Sequence, residues 1–539
     1  MFATLAETNP TTYVHNLRTL EISMTRSFAP PFCPLRFEWL QRSLIRLALA
    51  CLLSPLAARA QVSFTGPKPS VNIGSQAVGS SSTTVSLPFT IAAGTKVGSI
   101  AVLTTGIADR DFAKATKSTC TATTYTTATN CVVNVGFTPL ATGLRRGAVV
   151  FYSRFENAGT VLATVPVFGV GTGPQLVFGP GGFESSLGSR LVSPEGVAVD
   201  AAGNVFVTDI ALQEVFKVTP AGTETTVGSG LDVPEGVAVD GAGNVYITDS
   251  QFPAVFKVTP GGVQTMVGHG FSYPSGIAVD GSSNVYVSDP FIPAVFKITP
   301  AGKQTTVGGG YNTPDGVAVD AAGNVYVADP FNAVVFKITP GGKQTTVGGK
   351  LISPTAVALD TAGNIYITDT GTDSVVEITP AGVQTTVSSG LNVPDGVAVD
   401  GSGNLYVVNS FDKQVVKVDR VDAPSLKFDS TNVGAKSADS PKTVQVENIG
   451  NKVLQFSALT YPADFPEGAS GKAAACTSKT SLAAASSCAL TIDFSPATAL
   501  GSATSKVLRE AVKLTTNSRN VAGALESVPV FGTETQRSK

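Results

Sequence analysis

Carboxylates recur through the middle of this chain in two series, at Asp200, Asp240, Asp280, Asp320, Asp360 and Asp400, and at Asp209, Asp249, Asp289, Asp329 and Asp369. Carboxylates gathered in one place serve general acid–base catalysis or hold a divalent cation. An active site, however, needs one special constellation, and these positions are equivalent copies of each other. Asp also closes tight turns by accepting bonds from its own backbone, so turn chemistry is the expectation for both series. A third set is less uniform: Glu195, Glu235, Asp315 and Asp395 share one position in the copies, where Ser275 and Thr355 interrupt the acids. An acidic ring of that kind keeps a divalent cation open as a ligand. Histidine offers little, because only His15 and His269 occur and a multi-histidine zinc site cannot be built from them.

The copies that carry these residues begin at Pro194, Pro234, Pro274, Pro314, Pro354 and Pro394, a period of forty residues without a slip. Within the first, Gly196–Asp200, Asn204–Asp209, Val215–Thr219 and Thr223–Gly228 are short Val-rich runs separated by Gly, Asn and Pro. Such runs at such a period are strands of a repeat architecture, and four strands make one blade of a β-propeller. The copy at Pro394 runs into Asp419-Arg420 where a fourth strand should follow. Phe183–Gly188, one period before Thr223–Gly228, supplies it, which predicts a six-bladed ring closed by an N-terminal strand with no free sheet edge.

In a four-stranded blade the connections from strand four to one and from two to three lie on one face. The other two lie opposite, and here those are nearly identical between copies. All the variation therefore falls on the first face. Its strand two-to-three loops carry Phe252, Phe291, Phe331 and Phe411, and its other connection carries Phe271, Tyr273 and Tyr311, around the acidic positions Glu195, Glu235, Asp315 and Asp395. Variable loops on one face of a repeat array are the usual binding surface, and aromatic clusters usually mark a partner. The competing expectation is that these rings tuck down and plug the blade tops.

Outside the repeats, three arginines (Arg36, Arg42, Arg46), the apolar run Leu47–Leu53 and Ala58-Arg59-Ala60 have the form of a signal peptide cleaved after Ala60. Residues 1–23 do not fit an export signal, so translation is expected to start at Met24. Without residues 1–60 the chain keeps 31 basic and 36 acidic residues, which implies no nucleic-acid partner. Trp39, the only Trp, leaves too, which tilts the expected ligand from a glycan toward a protein or peptide. Nothing later in the sequence is apolar for long enough to span a membrane. Once Cys33 and Cys51 leave, two close pairs remain, Cys120 with Cys131 and Cys476 with Cys488, and export makes disulfides the default. Each would contribute about 3 kcal/mol in the chain-entropy model.

Residues 61–173 read as a strand-rich domain ending in Val165-Pro-Val-Phe-Gly169, which reappears as Val528-Pro-Val-Phe-Gly532. Cys131–Pro139 likewise parallels Cys488–Pro496. Two related β-sandwiches are thus expected around a propeller spanning 174–421, the second over 422–539. With Leu426-Lys-Phe428, Thr443–Gly450 and the Cys-bounded loop, the later one resembles Hydin-like, choice-of-anchor-type immunoglobulin modules, which serve as spacers or adhesive modules in exported bacterial proteins. The repeats, Pro-x-Gly-Val-Ala-Val-Asp-x-x-Gly-Asn-Val-Tyr-Val-x-Asp followed by Val-Phe-Lys-Ile-Thr, resemble NHL repeats. They are also similar to the extracellular propeller sensor of mycobacterial membrane Ser/Thr kinases, from which this chain departs in lacking a span and a kinase.

The fold expected is all-β, a six-bladed propeller flanked by two immunoglobulin-like sandwiches. The function expected is that of a secreted or otherwise extracytoplasmic, non-enzymatic binding or scaffolding protein without a cofactor, whose variable face takes a protein, peptide or cell-envelope glycan. Propeller relatives include streptogramin lyases and sugar lactonases, so a metal-assisted lactonase or lyase is the alternative, and a structural envelope spacer is another.

Overall fold

The computed structural model describes residues 60–82, 84–179, 184–469, 471, 474–497 and 504–536. The expected leader with its start at Met24, and Phe183, lie outside them. Among the described residues there is no α-helix, only one 3-10 turn at Ser518–Asn520; everything else regular is strand.

Each forty-residue copy forms one four-stranded antiparallel sheet. In the first, Pro194–Val199, Val205–Asp209, Glu214–Val218 and Glu224–Thr226 pair in chain order, and the next four copies repeat this. In the last, Pro394–Val399, Leu405–Asn409 and Gln414–Val418 are joined by Glu184–Leu187, which pairs antiparallel with Gln414–Val418. The second strand of every sheet is buried end to end, for example Val205–Asp209 and Val325–Asp329, because neighbouring sheets cover both of its faces.

The Pro-x-Gly that opens five of the six copies shows how the sheets close into a propeller ring. A Cβ on Gly196 would stand 2.5 Å from the carbonyl oxygen of Glu235, and one on Gly236 2.6 Å from that of Ser275. The series ends where it began, with Gly396 2.6 Å from the carbonyl oxygen of Glu195. Glycine suits these five positions because the next copy's backbone passes directly over them; the fifth copy has Ala356 in its place.

The residues before the ring form two facing sheets. Val62–Phe64, Val85–Ile91, Thr129–Phe137 and Phe112–Lys114 make one, and Val71–Ala77, Val161–Thr172, Gly143–Tyr152, Ser99–Thr104 and Ile107–Ala108 the other. Alternate residues such as Leu87, Phe89 and Ile91 point into the shared core with Val133, Val135, Phe151 and Val167. Cys120 and Cys131 are bonded and buried within it. A second two-sheet sandwich follows the ring, with Phe428, Phe465, Phe494 and Val530 in its core and Cys476 bonded to Cys488.

The structure corrects the expected domain boundary at residue 174. Leu176–Gly179 takes no part in the ring; it pairs antiparallel with Lys442–Asn448 and completes a sheet of the C-terminal sandwich. Leu176 and Phe178 are buried in that sandwich's core, which is the physical reason the segment goes there. The two sandwiches consequently meet: Asn451 Nδ2 donates to Gly171 O at 3.0 Å, and Arg519 N to Pro174 O at 2.7 Å.

One repeat position reports the docking of the C-terminal sandwich. Lys257, Lys297 and Lys337 each lie over the Tyr ring of their own sheet. In the fifth copy that position is Glu377, and the cation over Tyr366 is Arg420 instead. Arg420 is 1 % exposed, lies 3.5 Å from Glu377, and is ion-paired with Glu447 of the sandwich.

Candidate functional site

The two aspartate series hold turns and loops together. Asp200 Oδ1 accepts from Ala202 N at 2.8 Å and Asn204 N at 3.0 Å, and Oδ2 accepts from Asn204 Nδ2. Its counterparts at Asp240, Asp280, Asp320 and Asp400 do the same, and Asp360 takes both Asn364 donors. The second series does more than close a turn. Asp209 accepts from Val192 N and Ser193 N of the connection before strand one, and from Ala211 N and Leu212 N of the loop after strand two. Asp249, Asp289, Asp329 and Asp369 repeat that latch, with Asn409 in the last copy. The loops of the variable face are therefore tied down from beneath by buried carboxylates. Phe252 N and Phe291 N themselves donate to Asp249 and Asp289 at 3.0 and 3.1 Å.

Held this way, the phenylalanines point outward. Phe252 is 53 % exposed, Phe291 70 %, Phe331 73 % and Phe411 69 %, so they do not plug the sheets. Exposed Val192 beside the first copy, Leu212 within it and Ile352 beside the fifth extend the apolar rim to the copies without a loop phenylalanine. Phe271 and Tyr311, expected on this face, are core residues instead. They occupy the position of Leu191, Leu231, Leu351 and Leu391, and pack edge-on against Phe296 and Phe336 at 5.4 Å. A position apolar in all six copies belongs to the core whatever the side chain, and that signal was in the sequence. His269 is exposed and clasped to Gln304 only through its backbone.

Inside the rim lies a depression of about 360 Å³ at the mouth of the ring's axis. Glu195, Glu235, Asp315 and Asp395 line it together with Tyr273, Ser275 and Thr355. Tyr273 donates to Glu235 at 2.6 Å, as does Ser250 at 2.8 Å, and the Tyr273 ring stacks on Phe291 at 4.8 Å. Ser275, which interrupts the acids in sequence, donates to Asp315 at 2.6 Å. Burial, and then the charge of Asp395 beside it, push the Glu195 carboxyl up to about 10. Burial also raises Asp395, against the hydrogen bond from Glu195, so the pair shares a proton at neutral pH. Asp315 is raised by burial to about 7, and Glu235 is raised by burial against the bonds from Tyr273 and Ser250. Among the described residues no three His, Cys, Asp or Glu side chains are grouped to hold a metal ion. The mouth is a store of incompletely discharged negative charge that would take a cation from a ligand in place of a proton.

The opposite face is covered by the protein itself. Thr105 Oγ1 accepts from Ala201 N, Gly106 N donates to Gly241 O, Ser70 bonds Ser282, and Thr142 bonds Thr361. Gln175 Nε2 donates to Gly401 O. The turns expected to serve folding alone are thus also the seat of the N-terminal sandwich.

No protein-family model and no curated protein matches the chain. Among solved structures it is similar to a streptogramin B lyase, at 16 % identity over 50 % of this chain and 89 % of the other, with a TM-score of 0.37. A putative gluconolactonase is similar at 16 % identity over 45 % and 94 % of the two chains, TM-score 0.40. An auxiliary nutrient binding protein from Bacteroides thetaiotaomicron is similar at 12 % identity over 67 % and 97 %, TM-score 0.38. Among the described residues no helix is long and apolar enough to cross a membrane.

Proposed function

We propose that the chain is an exported binding protein, a six-bladed NHL-type propeller carried on two immunoglobulin-like sandwiches, and that its free face takes a protein or peptide partner without chemical turnover. The observation that carries this reading is the juxtaposition of four phenylalanines, each more than half exposed, with a half-buried acidic mouth. Exposed aromatic anchors around a polar centre are the makings of an interface hot spot. The acids give the partner its chemistry: an apolar surface presenting a lysine, arginine or amino terminus. Two disulfides support a location in an oxidising compartment outside the cytoplasm.

Affinity capture tests it. The chain from Gln61 onward, immobilised and exposed to envelope and extracellular extract, should retain a partner that the Phe291→Ala, Phe331→Ala double variant does not. Retention of the same partner equally by both proteins would refute the assignment of this face.

A further inference from the structure

The covered end of the ring borders a second cavity, of about 700 Å³ and partly open, between the turns that follow the inner strands and the two sandwiches. Arg110, Arg145 and Arg146 of the N-terminal sandwich and Arg519 of the C-terminal one line it, together with the turn aspartates Asp200, Asp320, Asp360 and Asp400, each bonded within its own turn. Arg145 is spent, its Nε and Nη2 both 2.7 Å from Asp111 Oδ2. Arg146 is not. It pairs across its sheet with Phe168, whose ring lies against Gly281, so its side chain leaves the sheet on the side of the ring. Among the described residues its guanidinium makes no hydrogen bond or ion pair; its Nε is sealed from solvent without a partner, while the residue as a whole stays partly exposed.

The carboxylates that act on Arg146 are Asp280 and Asp240, and Arg145 opposes them. Neither aspartate has a free oxygen to offer. Asp240 already accepts from Ala242 N, Asn244 N, Asn244 Nδ2 and Tyr246 Oη, and Asp280 accepts from the matching four donors. The sealed Nε carries an unmet desolvation cost, and the outer nitrogens of the fork stay unspent on the lining of the cavity, where an acceptor can reach them. The planar fork matches an oxyanion better than it matches any neutral acceptor.

We propose that this cavity is a binding site for a small oxyanion, anchored by Arg146. The site lies at the opposite end of the inner strands from the acidic mouth and does not depend on the partner assigned there.

Calorimetric titration of the chain from Gln61 onward with inorganic phosphate, at constant ionic strength, tests it, with sulfate and acetate as further arms that separate tetrahedral anions from carboxylates. Saturable binding of one anion per chain is expected. Arg146→Gln should weaken it at least tenfold, and Arg146→Lys should fall between, because a lone ammonium keeps the charge without the fork. Melting curves of each variant without anion separate loss of binding from loss of fold; should Arg146→Gln fail to fold, Arg146→Lys carries the comparison. Phe291→Ala with Phe331→Ala should leave the titration unchanged. Absence of saturable binding of any of the three anions to the parent chain, or equal binding by parent and folded Arg146 variants, would overturn the proposal.

Discussion

Three aromatic side chains that the sequence places in one class, Phe271, Phe291 and Phe331, should part company when each is cut back to alanine. A phenylalanine has about 200 Å² to bury. At 70 and 73 % exposure, Phe291 and Phe331 hide only about 60 Å² of that in the free protein, a ceiling near 1.5 kcal/mol at about 25 cal/mol per Å². Alanine retains part of it, so each substitution should cost the free chain about 1 kcal/mol or less. The exposed remainder, about 140 Å² each, could contribute about 3.5 kcal/mol to a partner that covers it fully. Ordering costs on association reduce that, and about 2 kcal/mol per ring is the hot-spot scale. The double variant should therefore bind at least tenfold more weakly while melting close to the parent. Phe271, 9 % exposed and packed on Phe296, should behave oppositely, with a loss of about 3–5 kcal/mol as for other buried phenylalanines. Thermal melts of the three single variants, followed by partner titration of those that fold, decide the matter. Equal destabilisation by Phe291→Ala and Phe271→Ala would refute the distinction drawn between rim and core.

The buried charges and the closing strand set further outcomes. Because Glu195 and Asp315 hold protons that they would lose in the unfolded chain, native stability should fall as pH rises from about 5, through about 7 for Asp315 and on toward 10 for Glu195. Melts across that range should show the slope flattened at its alkaline end by Glu195→Gln, and an unchanged slope would count against the shared proton. Arg420→Met, which leaves Glu377 and Glu447 without their cation, should cost about 3–5 kcal/mol in denaturant unfolding. Adding Glu377→Lys restores the cation the other copies have and should recover part of it; no recovery would mean that the ring–sandwich contact is not electrostatic. Proline at both Ser185 and Ser186 removes whichever backbone donor faces Gln414–Val418, so the variant should aggregate or melt well below the parent. Light scattering during a thermal ramp would show it.

The propeller was legible because a fixed period imposes the same environment on every copy, so that one reading of strands and turns is tested repeatedly within a single sequence. Comparison between copies also located the rim. What misled was reading side-chain type without reading the column. Tyr311 and Phe271 look like surface aromatics beside Tyr273, yet their column is otherwise leucine and their rings are buried. Leu176–Gly179 was not legible for a different reason. A strand that leaves its neighbours in sequence to pair with Lys442–Asn448 is set by contacts more than 260 residues away, and no local pattern encodes them.

The covered face shows how a few repeat differences can be structural even where the copies look uniform. The first residue after each turn aspartate reads Ala201, Gly241, Gly281, Ala321, Thr361 and Gly401. A Cβ on Gly241 would stand 2.5 Å from Gly147 N, one on Gly281 2.7 Å from the Phe168 ring, and one on Gly401 3.1 Å from Arg145 Nη1. Glycine thus falls where the sandwich comes closest. Thr361 fits because it faces Gly143, where a Cβ would run into the threonine methyl, and its hydroxyl bonds Thr142 at 2.7 Å. Most differences on this face are matched by a surface in the same chain, while the fourth copy's turn, at Ala321 and Ala322, stays exposed. The loops bearing Phe252, Phe291, Phe331 and Phe411 differ between copies just as much, yet even with Tyr273 stacked on Phe291 each of those rings stays more than half exposed. Variation that on one face is accounted for by an internal partner calls, on the other, for an external one.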